Sequence, residues 1–194
     1  HWQDSDHIGD LYFPPEILTP LVTEIARTGY HPHIHTVAEG AISTALDAIS
    51  AMREALPEKD IRPGLAHNEL MCEKDYARFT QLKTYPFLSF QWAAAEQSNI
   101  EKDIEMLGKS RCDYLETAGK FIDAGVTVAF GSDWPIDPLN EWYDFKVAMT
   151  RQKDATSPRL DNDRNLTLIE VLRAATINAA KALDMDTQIG SLEV

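Results

Sequence analysis

Two hydrophobic rhythms alternate along this chain. The first has a helical period. In PPEILTPLVTEIARTG (residues 14–29), Ile17, Leu18, Leu21, Val22 and Ile25 fall on one face, Pro14 and Pro15 suit a helix start, and Gly29 suits its end. The same reading predicts helices in AISTALDAISAMREAL, closed by Pro57, in EKDYARFTQLKT, in CDYLETAGKFIDAG, near Asn140–Thr150, and in LTLIEVLRAATINAAKALDM. Thr167 and Glu170 have capping-box spacing at the start of the last of these. Between them lie short β-favouring runs: YHPHIHTV, ending near His35; IRPGLAH, ending at His67; YPFLSFQW, ending near Gln91; and VTVAFGSD, broken by Gly131–Asp133. The stretch Ser98–Lys109 reads as irregular.

Strands alternating with helices predict right-handed βαβ units and a parallel sheet. The strand ends recur about every 32 residues, close to one eighth of a (β/α)8 barrel of roughly 250 residues. The expected fold class is therefore α/β, with parallel βα units forming about half of a (β/α)8 TIM barrel. A small doubly wound sheet is the rival, but no glycine-rich phosphate loop supports it.

Composition narrows the function classes. The chain has 194 residues, with 31 acidic against 18 basic side chains and a formal charge of −13. Such a field repels phosphate backbones and anionic lipid, so neither nucleic acid nor membrane is an expected partner. No apolar run approaches the roughly 20 residues that cross a bilayer. The opening HWQDSDHIGD has no basic and apolar leader pattern and no initiator Met, and the expected location is the cytoplasm. Cys72 and Cys112 stand far apart and read as ordinary thiols.

In parallel βα folds the C-terminal strand ends form the mouth where sites are built. Three such ends carry His35, His67 and Asp133. Two imidazoles and a carboxylate suit a divalent ion such as zinc, and ligands on separate strands suit catalysis better than a structural site. Asp133 could both ligate metal and accept a proton from water, although an N-cap role is the competing reading. His33 shares a strand face with His35 and reads as a ligand, as a hydrogen-bonding neighbour of one, or as a core histidine. His1, His7 and His31 read as surface residues. Trp134, Trp92 and Trp142 are candidate walls of an apolar substrate pocket, Trp134 being the best placed.

The segments HIHTVAEGAISTALDAI, LAHNELMCEKDYARF, TVAFGSDWPIDP and LTLIEVLRAATINAAKALDMDTQIGSLEV resemble, in order, those of amidohydrolase family 3 within the amidohydrolase superfamily. This resemblance covers nearly all of residues 1–194, read as one partial TIM-barrel domain. It implies a metal-dependent hydrolase of C–N bonds with one or two divalent ions, zinc foremost, and a small-molecule substrate. It also implies that His35 and His67 are metal ligands on the fifth and sixth barrel strands. By the same resemblance Asp133, on the eighth, is expected to touch metal and to handle the proton of the attacking water. The chain departs from the family pattern at Ala38-Glu39, where the family has Gly-Asp, and at Ala66, where it has Glu. Glu39 is the expected substitute for that Asp, as a neighbour supporting a ligand. The first four strands, with a histidine pair and a bridging ligand, are expected to lie outside the chain, which reads as a fragment truncated before the C-terminal β-sandwich segment. Either the missing N-terminal half or a second copy would cover its open edges. The alternative functions are a non-catalytic or regulatory domain that keeps the scaffold, and an α/β interaction domain with structural histidines.

Overall fold

The computed structural model describes residues 2–94 and 96–193. His1 and Val194, at the two ends of the expected domain, lie outside them. Four strands form one sheet: β1 (His33–Thr36), β2 (Gly64–His67), β3 (Tyr85–Leu88) and β4 (Ala129–Phe130). All neighbours are parallel and the order is β1-β2-β3-β4. A doubly wound sheet reverses its strand order at a switch point. This sheet does not; it runs in sequence order, as an arc of a barrel does.

Helices cover one face only. Helix α1 (Pro15–Arg27) buries Leu18, Val22 and Ala26, and α2 (Glu39–Ala55) buries Ile42, Leu46, Ile49 and Met52. Leu65 of β2 and Leu88 of β3 point into this layer and are buried. Tyr76 and Phe79 of α3 (Tyr76–Gln81) both meet Phe121 of the sixth helix edge-on, at ring-centroid distances of 4.8 and 5.0 Å. Such T-shaped contacts are favoured by the ring quadrupoles. The other face carries His33 and His35, both exposed, with Ala66, Tyr85 and Phe87 half-buried. A barrel segment has this asymmetry, its inner face lacking the strands that would pack across from it.

The structure corrects several predicted boundaries. Residues 97–107, expected to be irregular, form helix α4 (Gln97–Leu107), which buries no residue. Ile100, Ile104 and Leu107 stand at helical spacing, yet none of them is buried. The helix expected over residues 112–125 is split into α5 (Lys109–Cys112) and α6 (Ala118–Asp123). Between them Leu115 bridges Leu70 in antiparallel fashion, and Glu116 takes a φ of 51° while its N–H donates to the Glu69 carbonyl. That tertiary pairing outweighs helix propensity. The third strand stops at Leu88, so Gln91 lies in a 3-10 turn (Phe90–Ala93) rather than on the strand. Helix α7 (Glu141–Thr150) begins where expected, with the Asn140 side chain accepting from the Tyr143 N–H. The last helix is two, α8 (Leu168–Ala175) and α9 (Ile177–Ala182), broken at Thr176; the Thr167–Glu170 capping box is present.

One buried cation ties the later segments together. Arg151 ends α7 with a φ of 55° and is 2% exposed. Its Nε donates to the Leu160 carbonyl, Nη1 to the Glu116 carbonyl and Nη2 to Asn162 Oδ1. Asn162 in turn donates to the carbonyls of Cys112 and Leu115.

Gly64 is required by its neighbours. A Cβ there would sit 2.7 Å from His33 Nδ1 and 2.7 Å from Phe87 Cε2, the two rings that meet edge-on across it at 4.6 Å. Gly64→Ala should therefore destabilise the protein by about 1–3 kcal/mol, the range for overpacking a fitted site. Urea denaturation beside wild type checks this.

Candidate metal centre

His35 and His67 are brought together by a departure from strand geometry. In the parallel register His35 lies beside Ala66, and His67 beside Thr36, which is buried under the helices. Simple alternation would place the two histidines on opposite faces. His67 instead has a φ of 72°, and Asn68 after it a φ of 55°. This left-handed turn brings the rings to a centroid distance of 4.2 Å. Asn68 holds the turn: its N–H donates to the Thr36 carbonyl, its Nδ2 to the Leu65 carbonyl, and its Oδ1 accepts from Thr36 Oγ1. Asn tolerates this backbone region better than most residues. The His67-Asn68 dipeptide was the sequence signal for it, and the reading that stopped at His67 missed it.

The local field keeps His67 neutral. Its pKa is lowered, first by burial and then by His35, while Asp133 pulls the other way. Its Nδ1 is buried without a hydrogen-bond partner. The pKa of His33 is also lowered, by desolvation and then by His67. Both rings are therefore uncharged at neutral pH, the state that can ligate a metal. A histidine whose folded pKa lies below its unfolded value binds fewer protons when folded, so these two rings withdraw stability as pH falls through 6.5.

Asp133 arrives from the loop after β4 with a φ of 60°, half-buried. Its charge acts on both His67 and Glu69. The Glu69 carboxyl is raised by burial and then by Asp133, and Glu116 is raised well above the usual range by burial and then by Glu69. Sequence reasoning missed both carboxyls; neither stands at a strand end. The loop itself is pinned from β3: Ser89 Oγ donates to the Gly131 carbonyl, and Gln91 Nε2 to the Ser132 carbonyl and to Asp137 Oδ2.

The remaining candidates separate. Glu39 is gripped by Arg111, with Nε donating to Oε1 at 2.7 Å and Nη2 to Oε2 at 2.8 Å, so its carboxylate faces Arg111. His31 is half-buried rather than at the surface, accepting from the Arg62 N–H, whereas His7 stacks on Trp2 and is exposed. Trp92, Trp134 and Trp142 are 40%, 65% and 77% exposed. Cys72 and Cys112 are free thiols. Two concavities of mixed lining touch none of His35, His67 and Asp133; the larger of these, about 200 Å³, lies between α4 and residues 159–162.

These residues fit a divalent ion in part. Two facing imidazoles, one with an unpartnered buried nitrogen, and a nearby carboxylate are a suitable donor chemistry. Among the described residues, however, no three His, Cys, Asp or Glu side chains converge closely enough to hold an ion by themselves.

An arc of parallel βα units with paired histidines at its mouth defines the α/β-barrel class. Residues 5–194 match the Amidohydrolase family, family 3 of the amidohydrolases, and the chain belongs to it. Curated relatives include N-substituted formamide deformylase of Arthrobacter pascens, 27% identical over 96% of this chain and 34% of that protein. Protein LONG AFTER FAR-RED 3 of Arabidopsis thaliana is 23% identical over 92% of this chain and 30% of that protein. The chain thus spans about a third of the length of the curated relatives it matches. Among solved structures, a metal-dependent hydrolase from Pyrococcus horikoshii superposes with a TM-score of 0.80 at 20% identity, covering 99% of this chain and 38% of that one. A Xaa-Pro dipeptidase with bound methionine gives 0.64 at 16% identity, covering 97% and 42%. These likenesses establish the fold. Among the described residues, no helix is long and apolar enough to cross a membrane.

In the metal-free protein, His67 should titrate below 6.5. His35→Ala should raise its pKa by removing a repelling neighbour, and Asp133→Asn should lower it further. Imidazole NMR titration reads all three directions.

Proposed function

We propose that this chain carries part of the centre of a metal-dependent hydrolase of C–N, amide-like bonds. The observation that carries the reading is the His35–His67 pair at the sheet mouth, in which His67 is held neutral within the field of Asp133. His35, His67 and Asp133 would hold a divalent ion, zinc by donor type, with further ligands supplied from outside these residues. Bound there, such an ion would supply Lewis acidity, polarising a carbonyl and lowering the pKa of water toward ~7.

The chain's own residues do the rest. The Asp133 carboxylate takes a proton from the attacking water and passes it to the leaving nitrogen, the work of a general base and then a general acid. Its field on His67 and Glu69 supports this reading. Trp134 follows it directly in sequence and, with Trp92, supplies exposed indole surface for an apolar substrate group. His33 packs against Phe87 beside the pair and supports the face from which His35 projects. The substrate is a small molecule. The open face of the sheet is covered either by the rest of the same protein or by a second copy, and the enzyme works in the cytoplasm.

A second reading, a non-catalytic or regulatory domain that keeps this scaffold, is favoured by Ala66 and Ala38 and by the lack of a converged three-donor cluster among the described residues. Zinc calorimetry on the full-length protein separates the two. Stoichiometric binding is expected, with loss in the His35→Ala/His67→Ala double variant. Asp133→Asn should lower kcat by about 10²–10⁴ on an amide panel that includes N-substituted formamides, the class named by the Arthrobacter relative. A folded wild-type protein that binds no zinc and cleaves nothing in the panel supports the second reading.

A further inference from the structure

The loop carrying Asp133 is held by one side chain that the reaction does not use. Gln91 is 7% exposed and sits in the 3-10 turn after β3. Its Nε2 donates to the Ser132 carbonyl at 2.8 Å and to Asp137 Oδ2 at 3.1 Å, so it grips the chain on both sides of Asp133. Both partners are acceptors, so only the nitrogen end of the amide can face them; a flipped Gln91 would set three acceptors against one another. The orientation leaves Oε1 buried with no donor. A buried orphan acceptor costs free energy, and a residue chosen only to stabilise the fold would avoid it.

The loop needs such a grip. Asp133 has a φ of 60°, a conformation that persists in a non-glycine residue only when its surroundings over-determine it. Asp137 also stands within the field of Asp144, a buried carboxyl of α7 pushed up to about 6 by burial and then by Asp137 and Glu141. An uncharged donor at position 91 holds Asp137 there without adding another acidic group to Asp137, Asp144 and Glu141.

We propose that Gln91 is a positioning residue for Asp133: its amide N–H groups, donated to Ser132 and Asp137, fix the 131–137 loop and with it the reach of the Asp133 carboxylate toward the histidine pair. This rests on the proton-transfer and ligand role given to Asp133 above.

The test uses two near-isosteric variants of the full-length protein. Gln91→Leu removes the donors and keeps the volume; Gln91→Glu keeps the shape and replaces the donors with acceptors. Loop placement is read from the ¹⁹F resonance of 5-fluorotryptophan at Trp134, and the site from Co²⁺ titration. Both variants should shift the Trp134 resonance and raise the Co²⁺ dissociation constant about tenfold, the scale for lost support around a ligand. With any amide that the protein hydrolyses, kcat should fall about 10–100-fold while KM stays within about twofold, the pattern of an interaction felt only in the transition state. If Gln91→Glu leaves resonance, affinity and kcat at wild-type values, space-filling is the whole role and the proposal is overturned. If both variants fail to fold, hydrogen exchange of the wild-type Gln91 side-chain NH₂ decides: protection matching the 131–137 backbone supports the grip, and free exchange overturns it. A wild-type protein that binds no Co²⁺ removes the metal reading, while the Trp134 resonance still decides whether Gln91 fixes the loop.

Discussion

Everything at the mouth of this sheet depends on backbone that leaves the strand conformation at the right residue. A strand alternates its side chains, so neighbouring strands in register can offer only matched positions to one face. His35 and His67 are one position out of match. The left-handed turn at His67 and Asn68 absorbs that offset, and Asn68 fixes it with three hydrogen bonds to β1 and β2. Were His67 to continue as ordinary strand, its ring would point toward the helix layer and the pair would not exist. Asp133, in the loop after β4, also has a left-handed backbone.

The electrostatics follow from this crowding. Two imidazoles near each other disfavour protonation, and a carboxylate nearby favours it; burial decides the balance toward the neutral ring. The same carboxylate presses Glu69 toward its protonated form, and Glu69 presses Glu116. A chain with a formal charge of −13 has concentrated part of its acidity in one partly desolvated line beside its histidines. Burial and mutual repulsion there favour the protonated acid over the carboxylate at Glu69 and Glu116.

How much of this was legible in the sequence varies with the physical origin of each feature. The βα alternation was, because periods of 3.6 and 2 are written directly into the residue order. So were the termini that depend on local chemistry: the Thr167–Glu170 box and the Asn140 start of α7. The break between α5 and α6 was not, because it is imposed by Leu70 and Glu69, which lie more than forty positions earlier in the chain. Nor was α4, which carries an Ile100–Ile104–Leu107 stripe but has no side-chain cap at its start and no residue in the core. At the site, His35, His67 and Asp133 could be picked out as polar residues ending apolar runs. The side chains that hold them, Asn68 and Gln91, act through the backbone of other segments, and no periodicity marks a hydrogen bond to a distant carbonyl.

Arg151 shows what such long-range ties mean for how this fold can vary. Its three nitrogens serve acceptors in two stretches of chain, residue 116 and residues 160–162, from a buried position with a left-handed backbone. A lysine brings a single charged nitrogen and no planar fork, so it could not span both stretches as the guanidinium does. Drift in either segment is thus constrained by a residue that belongs to neither. No residue of α4 lies in the core, so sequence change there disturbs little packing, whereas the few positions that Arg151 joins can change only together.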